Sequence, residues 1–573
     1  MSNYLLNQVS CTHPSSKTSY PLQIKFKCMK HAADWLSDFV EIVATGNGTN
    51  ISELFVEGGF WRDYLSFGWS LQTIEGREAI AKFGLDYGAI TSFKAVQFEG
   101  KPDRNEGFFR FQTGDGLGRG YLNVEDGLCT TLFTMLNDLP HKSDKGTKET
   151  SPYVLVVGGG QAGLALGAQL QELRVPYLII DKYPHVGDQW RLRYDSLVLH
   201  DPIWYNHMPF KPFPKSWPVF TPKDMMGNWL KDYAEELSLN IWTGSTLIGA
   251  HYDGKQGNWH TKICKEGETQ ILKPTHLVMA LGLSGFPKVP KFEGQETFAG
   301  NQLHSSEYKS GREFANKTVV IVGANNSAHD IASDLAMNGS HPIMIQRSST
   351  LVVNQQDYCE RILGSLYSAK AVARGISVDK ADILQASVPL RLLESKHRAI
   401  WDSIRRDRQS FYQRLIDAGF TLDFAEDGTG LGMKYRRTAS GYYIDVGGSE
   451  MVIEGSIEIR SGHGIDHLSK HAIHLTSGEE IETETVIYAT GYGNMSDWIA
   501  ALIDDDTARR VGPCWGYGSG TKGDPGPWLG ELRNMWVETA QTGLWMTGGN
   551  LSQARFFSRL LALQLAKRWI LSD

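Results

Sequence analysis

Three glycines with the spacing G-x-G-x-x-G stand at Gly158, Gly160 and Gly163, directly between an apolar run at 153–157 and a stretch of helical spacing to about residue 173. In that context each has a physical task. Gly158 permits a tight turn, Gly160 lets a pyrophosphate approach the backbone, and Gly163 lets the helix pack closely. The helix N-terminus then turns free N–H groups toward phosphates. Asp181 ends the next apolar run, 18 residues beyond Gly163, where a carboxylate accepts ribose hydroxyls. A second unit of this design begins about 165 residues later, with Gly323, Ala324, Asn325, Asn326, Ser327 and Ala328. Here two of the three glycines are replaced. Eighteen residues past Ala328 comes Gln346, followed by Arg347, Ser348 and Ser349. An acid at that place would repel a 2′-phosphate, whereas arginine and hydroxyls bind one. The first site therefore suits a nucleotide with a free ribose, such as FAD, and the second suits NADPH.

These turns need strands and helices to hold them. In the first unit the strands fall at 153–157 and 177–180; in the second they fall at 318–322 and 341–346, with a helix to about residue 337. The fold class expected is α/β, with two Rossmann-like dinucleotide-binding domains preceded by a small α+β domain. The boundaries read as 1–138 for that domain, 139–151 for a polar linker and 152–286 for the first part of the FAD-binding domain. Residues 287–475 form the NADPH-binding domain with substrate loops, and 476–573 complete the FAD-binding domain. Length agrees, since 573 residues suggest three or four domains. The net charge of −7 comes with no basic stripe, which argues against a nucleic-acid partner. Six scattered cysteines without a C-x-x-C pair argue against zinc ribbons, dithiol centres and a disulfide framework. No apolar run approaches the roughly 18 residues of a membrane span. Residues 1–10 are too polar for a signal peptide, so a cytoplasmic protein is expected.

Further along, Phe298, Gly300, His304 and Tyr308 fit F-x-G-x-x-x-H-x-x-x. The segments Gly187-Asp188-Gln189-Trp190-Arg191, Ala489-Thr490-Gly491-Tyr492 and Gly548-Gly549-Asn550 follow the order of a known family. On these residues the chain resembles the class B flavin-containing monooxygenases over roughly 151–573, and HSSEYKSG at 304–311 looks most like the plant auxin-forming YUCCA-type branch. A Baeyer–Villiger enzyme would usually carry tryptophan where Tyr308 stands. The resemblance implies FAD held by Gly158, Gly160, Gly163, Asp181, Gln189, Trp190, Arg191, Thr490, Gly491, Gly549 and Asn550. It implies NADPH held by Gly323, Asn325, Asn326, Ser327 and Arg347. It also implies a C4a-hydroperoxyflavin that passes one oxygen of O₂ to a small apolar or aromatic substrate. The reaction would be N- or S-oxygenation or decarboxylation of a 2-oxo acid; the alternatives are a Baeyer–Villiger oxidation or an NADPH oxidase. His200, His304 and Asn206 are the catalytic candidates, and a metal has no place in the scheme. A non-enzymatic binding protein is the competing class.

Residues 1–138 fall outside that match and resemble cone-shaped domains of the nuclear transport factor and ketosteroid isomerase type. A homodimer is the oligomer considered, with this domain shaping the oligomer or the substrate entrance. Within it, Arg62 and Asp63 read as a buried pair. The region 354–445 reads as long, mixed loops whose Trp401, Tyr412, Phe420, Phe424 and Tyr435 are available to line an apolar pocket. The glycine-rich 428–432 and 516–526 read as loops, and 556–570 as an amphipathic helix packed on a sheet. His463, His467, His471 and His474 suggest one helical face, but Gly462 and Gly464 break it and a hairpin is expected.

Overall fold

Ala32, Trp35, Leu36, Phe39 and Val43 recur at helical spacing and are the residues that the helix Ala32–Val43 buries. The computed structural model describes residues 31–140, 142, 151–283 and 285–572. Residues 1–30, with Cys11 and Cys28, and most of the linker lie outside them. The helix packs on a six-stranded sheet whose order is Leu71–Glu75, Phe55–Tyr64, Leu128–Asp138, Gly116–Glu125, Glu106–Thr113 and Lys94–Phe98. Only the Phe55–Tyr64 and Leu128–Asp138 pair is parallel. Aromatic rings fill the inner face. Trp61 alone meets Phe67 at 4.7 Å, Phe83 at 4.8 Å and Phe39 at 5.3 Å.

Strand alternation corrects the expected Arg62–Asp63 pair. Neighbours on a strand point to opposite faces. Asp63 points inward, fully buried, accepting from Thr134 Oγ1 (2.6 Å) and from the Phe67 and Gly68 amides. Burial pushes its carboxyl up to about 7. Arg62 points outward, where its Nε and Nη2 donate to Glu531 (2.7 and 2.6 Å) and its Nη1 donates to the carbonyls of Ala386 and Val388 (2.5 and 2.9 Å). Tyr64, on the same outer face, packs against Phe557 at 6.1 Å.

Two further sheets are wholly parallel, and each has five strands. The first runs Leu544–Met546, His276–Met279, Val154–Val157, Tyr177–Ile180, Ile241–Trp242. The second runs Asn301–His304, Thr485–Tyr488, Thr318–Val322, His341–Gln346, Glu458–Ser461. Val154–Val157, Tyr177–Ile180 and Thr318–Val322, inside these sheets, are near-continuous Val, Ile and Leu because both faces are covered. Thr485–Tyr488 pairs in the second sheet, so residues 476–488 do not belong with the closing part of the first unit. That unit is completed by Leu544–Met546 and the helix Leu551–Leu571. The helix was expected to be amphipathic. It is instead buried on nearly all sides, against the helix Gln161–Glu172 and the N-terminal sheet.

The region 354–445 is also helical rather than looped, with helices at Val378–Ser387, Leu390–Asp407, Gln409–Asp417 and Leu431–Thr438 among others. In the longest, Leu390, Leu393, His397, Trp401 and Ile404 face inward at three- and four-residue steps. Gly432 lies inside a helix, while 428–430 and 516–526 are irregular. Ala472–Leu475 and Glu480–Glu482 form the expected hairpin, and Ile465–Leu468 adds a third antiparallel strand to it. Among the described residues, no helix is long and apolar enough to cross a membrane, and Cys129, Cys264, Cys359 and Cys514 are free.

Candidate active site

The first glycine turn is closed by its own backbone at two positions and left open at the third. Gly158 has φ +113° and donates to the Ile180 carbonyl (2.8 Å). A Cβ there would sit 2.4 Å from the Ala280 carbonyl oxygen, and one on Gly163 would sit 1.9 Å from that of Gly158. At Gly160 the nearest atom to a Cβ is Gln189 Nε2 at 3.5 Å, an ordinary contact. Gly160 is the N-cap of the helix Gln161–Glu172 and supplies no side-chain cap, so the first N–H groups face that open space.

Asp181 stands beside the turn, accepting from the Gly159 amide (2.6 Å) and the Tyr183 amide (2.8 Å). Burial raises its carboxyl pKa. Gln189 reaches the same turn, with Nε2 3.5 Å from the Gly159 carbonyl. Among the described residues, Gln189 Oε1 and Trp190 Nε1 are buried without a hydrogen-bond partner. Arg191 faces elsewhere, held by Asp188 (2.9 Å) and the Val186 carbonyl (2.5 Å), so it braces the 186–191 turn. Gly549 and Asn550 arrive from the far end of the chain. Gln161 Nε2 donates to the Gly549 carbonyl (3.4 Å), and Asn550 forms a reciprocal cap with Gln553 on the last helix.

The second turn repeats the geometry with different side chains. Gly323 has φ +129°, donates to the Ile345 carbonyl (3.0 Å), and would bring a Cβ to 2.4 Å from the Ala489 carbonyl oxygen. Asn325 caps the helix Asn326–Met337 without a side-chain hydrogen bond, and Ser327 lies half-buried in its first turn. Asn326 Oδ1 instead accepts from the Ile444 amide (2.9 Å), which ties the helical region onto this turn. Gln346 takes the place of Asp181 and is turned inward, accepting from the Thr421 amide (2.8 Å) and Ser461 Oγ (2.6 Å). Arg347 is exposed, and among the described residues it has no ion pair or hydrogen bond.

His304 joins the ends of two neighbouring strands of the second sheet. Its Nδ1 accepts from the Ser306 amide (3.2 Å), so its Nε2 donates to the Gly491 carbonyl (3.0 Å). Burial lowers its pKa. Thr490 Oγ1 donates to the Lys288 carbonyl, and Tyr308 donates to Asp334 (2.6 Å).

Between the helical region and the first unit lies a cavity of ≈ 330 Å³. Gln161, Gly282, Gly549 and Asn550 form its floor, and His200 and Tyr205 stand in its wall. The three catalytic candidates are not brought together. His200 faces the cavity, whereas His304 lines an open recess elsewhere with Glu307 and Tyr488. Asn206 is 1% exposed, donates to the Asp201 carbonyl (2.9 Å), and does not reach the cavity. Of the five aromatics expected to line it, only Tyr435 does. Trp401, Tyr412 and Phe420 are core, and Phe424 packs on Tyr412 at 5.3 Å. Asp201, Tyr358, His397, Arg436 and Tyr442, which the motifs do not mark, complete the wall. Only the helical spacing around His397 signals any of them in advance.

Residues 189–364 match the model of a family described as flavin-binding monooxygenase-like. Over 366 residues the chain is 29% identical to indole-3-pyruvate monooxygenase YUCCA1 of Oryza sativa subsp. japonica, covering 63% of this chain and 82% of that protein. It is 29% identical over 352 residues to indole-3-pyruvate monooxygenase YUCCA6 of Arabidopsis thaliana, covering 60% and 77%. Among solved structures, OTEMO in complex with FAD and NADP aligns with a TM-score of 0.53 at 15% identity, over 74% of this chain and 85% of that one. At that identity the likeness is one of fold. The ordered motifs, the two glycine turns and the match over residues 189–364 agree: the chain is similar to the flavin-binding monooxygenase-like proteins, and it is an oxidoreductase, a flavin-containing monooxygenase.

Proposed function

We propose that the protein uses FAD and NADPH to insert one oxygen atom of O₂ into a small apolar or aromatic substrate held in the ≈ 330 Å³ cavity. The reaction is heteroatom oxygenation or oxidative decarboxylation of a 2-oxo acid; the plant relatives are named as monooxygenases of one such acid, indole-3-pyruvate. The observation that carries the reading is the space in front of Gly160, with the partnerless Gln189 Oε1 and Trp190 Nε1 beside it. A flavin fits that donor set. The N–H groups of the helix Gln161–Glu172 would hold its pyrophosphate. Asp181, whose oxygens keep lone pairs beyond the two amides, would accept from its ribose hydroxyls. Once bound and reduced by a nicotinamide, the flavin supplies activated oxygen, and the protein's share is orientation and protection from water.

In this reading the helices of 369–438 exclude water from the cavity. His200, in the cavity wall, would hold or accept a proton beside a bound flavin. His304 is a positioning residue that holds Gly491 and the adjoining strand end. Asn325, Ser327 and Arg347 take the second nucleotide. Asn326, Arg191 and Asn206 shape the turns behind the ligands.

The test of the reading follows NADPH and O₂ consumption with a panel of sulfides, amines, 2-oxo acids and ketones. Stoichiometric oxygenated product from a sulfide, an amine or a 2-oxo acid is expected. Turnover of ketones alone makes the protein a Baeyer–Villiger enzyme, and H₂O₂ as the only product with every compound makes it an NADPH oxidase.

A second outcome is expected at Arg347. Losing one charge-assisted contact to a 2′-phosphate costs ~1.5–3 kcal/mol, roughly 10- to 150-fold in affinity. Arg347→Ala should weaken NADPH by that factor and leave NADH almost unchanged, as read from the concentration dependence of flavin reduction. Equal use of NADH by the unmutated protein contradicts the assignment of the second site.

A further inference from the structure

Two consecutive arginines on the helix Leu431–Thr438 have opposite surroundings. Arg437 is neutralised, with Nη2 on Asp427 (2.6 Å) and Glu394 (3.0 Å) and Nε on Tyr517 (2.9 Å). Arg436 donates to the Gly432 carbonyl of its own helix (2.8 Å) and, among the described residues, has no carboxylate partner. It is half-buried in the wall of the main cavity and also lines a smaller one of ≈ 100 Å³. The two cavities share Gln385, Val388, Leu393, Arg436 and Gln553, so Arg436 stands at the passage between them.

The other charged and titratable groups of the main cavity do not neutralise it. Asp201 is engaged by the Tyr358 hydroxyl (2.6 Å), and Lys396 is an exposed cation at the rim. The remaining titratable groups of the lining are His200, His397 and the tyrosines Tyr205, Tyr358, Tyr435 and Tyr442. Burial, with the Arg436 charge, pushes His397 down to about 3, so it stays neutral. Much of the remaining wall is apolar or aromatic, with Leu363, Ile400, Leu431 and Tyr442. A half-buried guanidinium without a counter-ion is free to take an anionic ligand. Its planar fork of donors matches a carboxylate, which it binds in bidentate fashion.

We propose that Arg436 anchors the carboxylate of the substrate, which is therefore a small monoacid with an aromatic or aliphatic body. This deepens the monooxygenase reading and rests on it, and it favours acids over neutral amines, sulfides and ketones. Asp201 across the same cavity sets a limit, since it disfavours a second negative charge on the substrate.

The experiment uses the oxidised holoprotein and calorimetric titration with 3-phenylpropanoate and its uncharged counterpart 3-phenylpropanamide. Neither NADPH nor O₂ is needed, so the result stands apart from whether turnover matches the proposed reaction. The acid is expected to bind tighter than the amide. Arg436→Gln should loosen the acid roughly 10- to 150-fold, the range for a hydrogen bond to a charged group, with the amide almost unchanged. Arg436→Lys should recover part of the loss. Three results overturn the proposal. The acid and amide bind equally to the unmutated protein; Arg436→Gln loosens both alike; or it loosens NADP⁺ and not the acid. Much tighter binding of phenylalanine than of 3-phenylpropanoate overturns it too, because the site would then be built for an amino acid.

Discussion

Gly160→Ala is expected to fold normally and to lose most of its flavin. Gly160 has φ −78° and ψ −174°, a conformation that alanine adopts without strain. The new methyl meets only Gln189 Nε2, at 3.5 Å, so the fold has no reason to object. In the proposed flavin assignment it occupies the space where pyrophosphate oxygens come within hydrogen-bond distance of the backbone. Losing one or two such charge-assisted hydrogen bonds costs ~1.5–3 kcal/mol each, at least roughly ten-fold in affinity. The ratio of flavin to protein absorbance after purification reads the effect, and the melting temperature of flavin-stripped protein checks the fold. Gly163→Ala is the contrasting variant. Its Cβ would lie 1.9 Å from the Gly158 carbonyl oxygen, so it should fail through the fold. Full flavin occupancy in Gly160→Ala would remove the assignment of the first site.

Arg62→Ala is expected to be among the most destabilising single changes in the chain. The guanidinium is 4% exposed and joins three separate segments: the outer face of the N-terminal sheet, Glu531, and the carbonyls of Ala386 and Val388 at the end of the helix Val378–Ser387. Its removal leaves the Glu531 carboxylate facing only the hydroxyls of Tyr64 and Thr73. Breaking one side of a buried ion pair costs ~3–5 kcal/mol, because the other charge stays behind unpaired. Urea unfolding should show that loss. Adding Glu531→Gln should recover part of it by removing the stranded charge. Asp63→Asn should combine additively with Arg62→Ala, since the two side chains occupy opposite faces of the strand and share no partner. A loss below ~0.5 kcal/mol, the size of an ordinary surface change, would show that Arg62 does not join these segments.

How far the residues themselves disclosed this protein varies with the range of the interaction. The two nucleotide turns are spelled locally. A strand end, a glycine at φ +113° or +129° and a helix start must follow one another within a few residues. The exchange of Asp181 for Gln346 and Arg347 is legible because it falls at the same register of the next strand. A helix in 390–407 is also written in the spacing of Leu390, Leu393, His397, Trp401 and Ile404, against the long, mixed loops expected over 354–445. The partners of Arg62 are not. Period-2 alternation separates Arg62 from Asp63, but nothing near residue 62 announces Glu531, 469 positions away.

The cavity wall is the clearest division. Residue type and position along the chain determined the nucleotide turns, the motif order and thus the family of chemistry, because those depend on backbone geometry that short patterns impose. Only the tertiary structure decided that His200 and Tyr435 face the cavity, that Asn206 and Trp401 do not, and that Arg436 points into it while Arg437 is paired. Those choices follow from how the helical region docks on the first unit. That docking is set by packing and ion pairs between distant segments, such as Arg555 with Asp382 (2.6 Å), which leave no periodic trace in either segment.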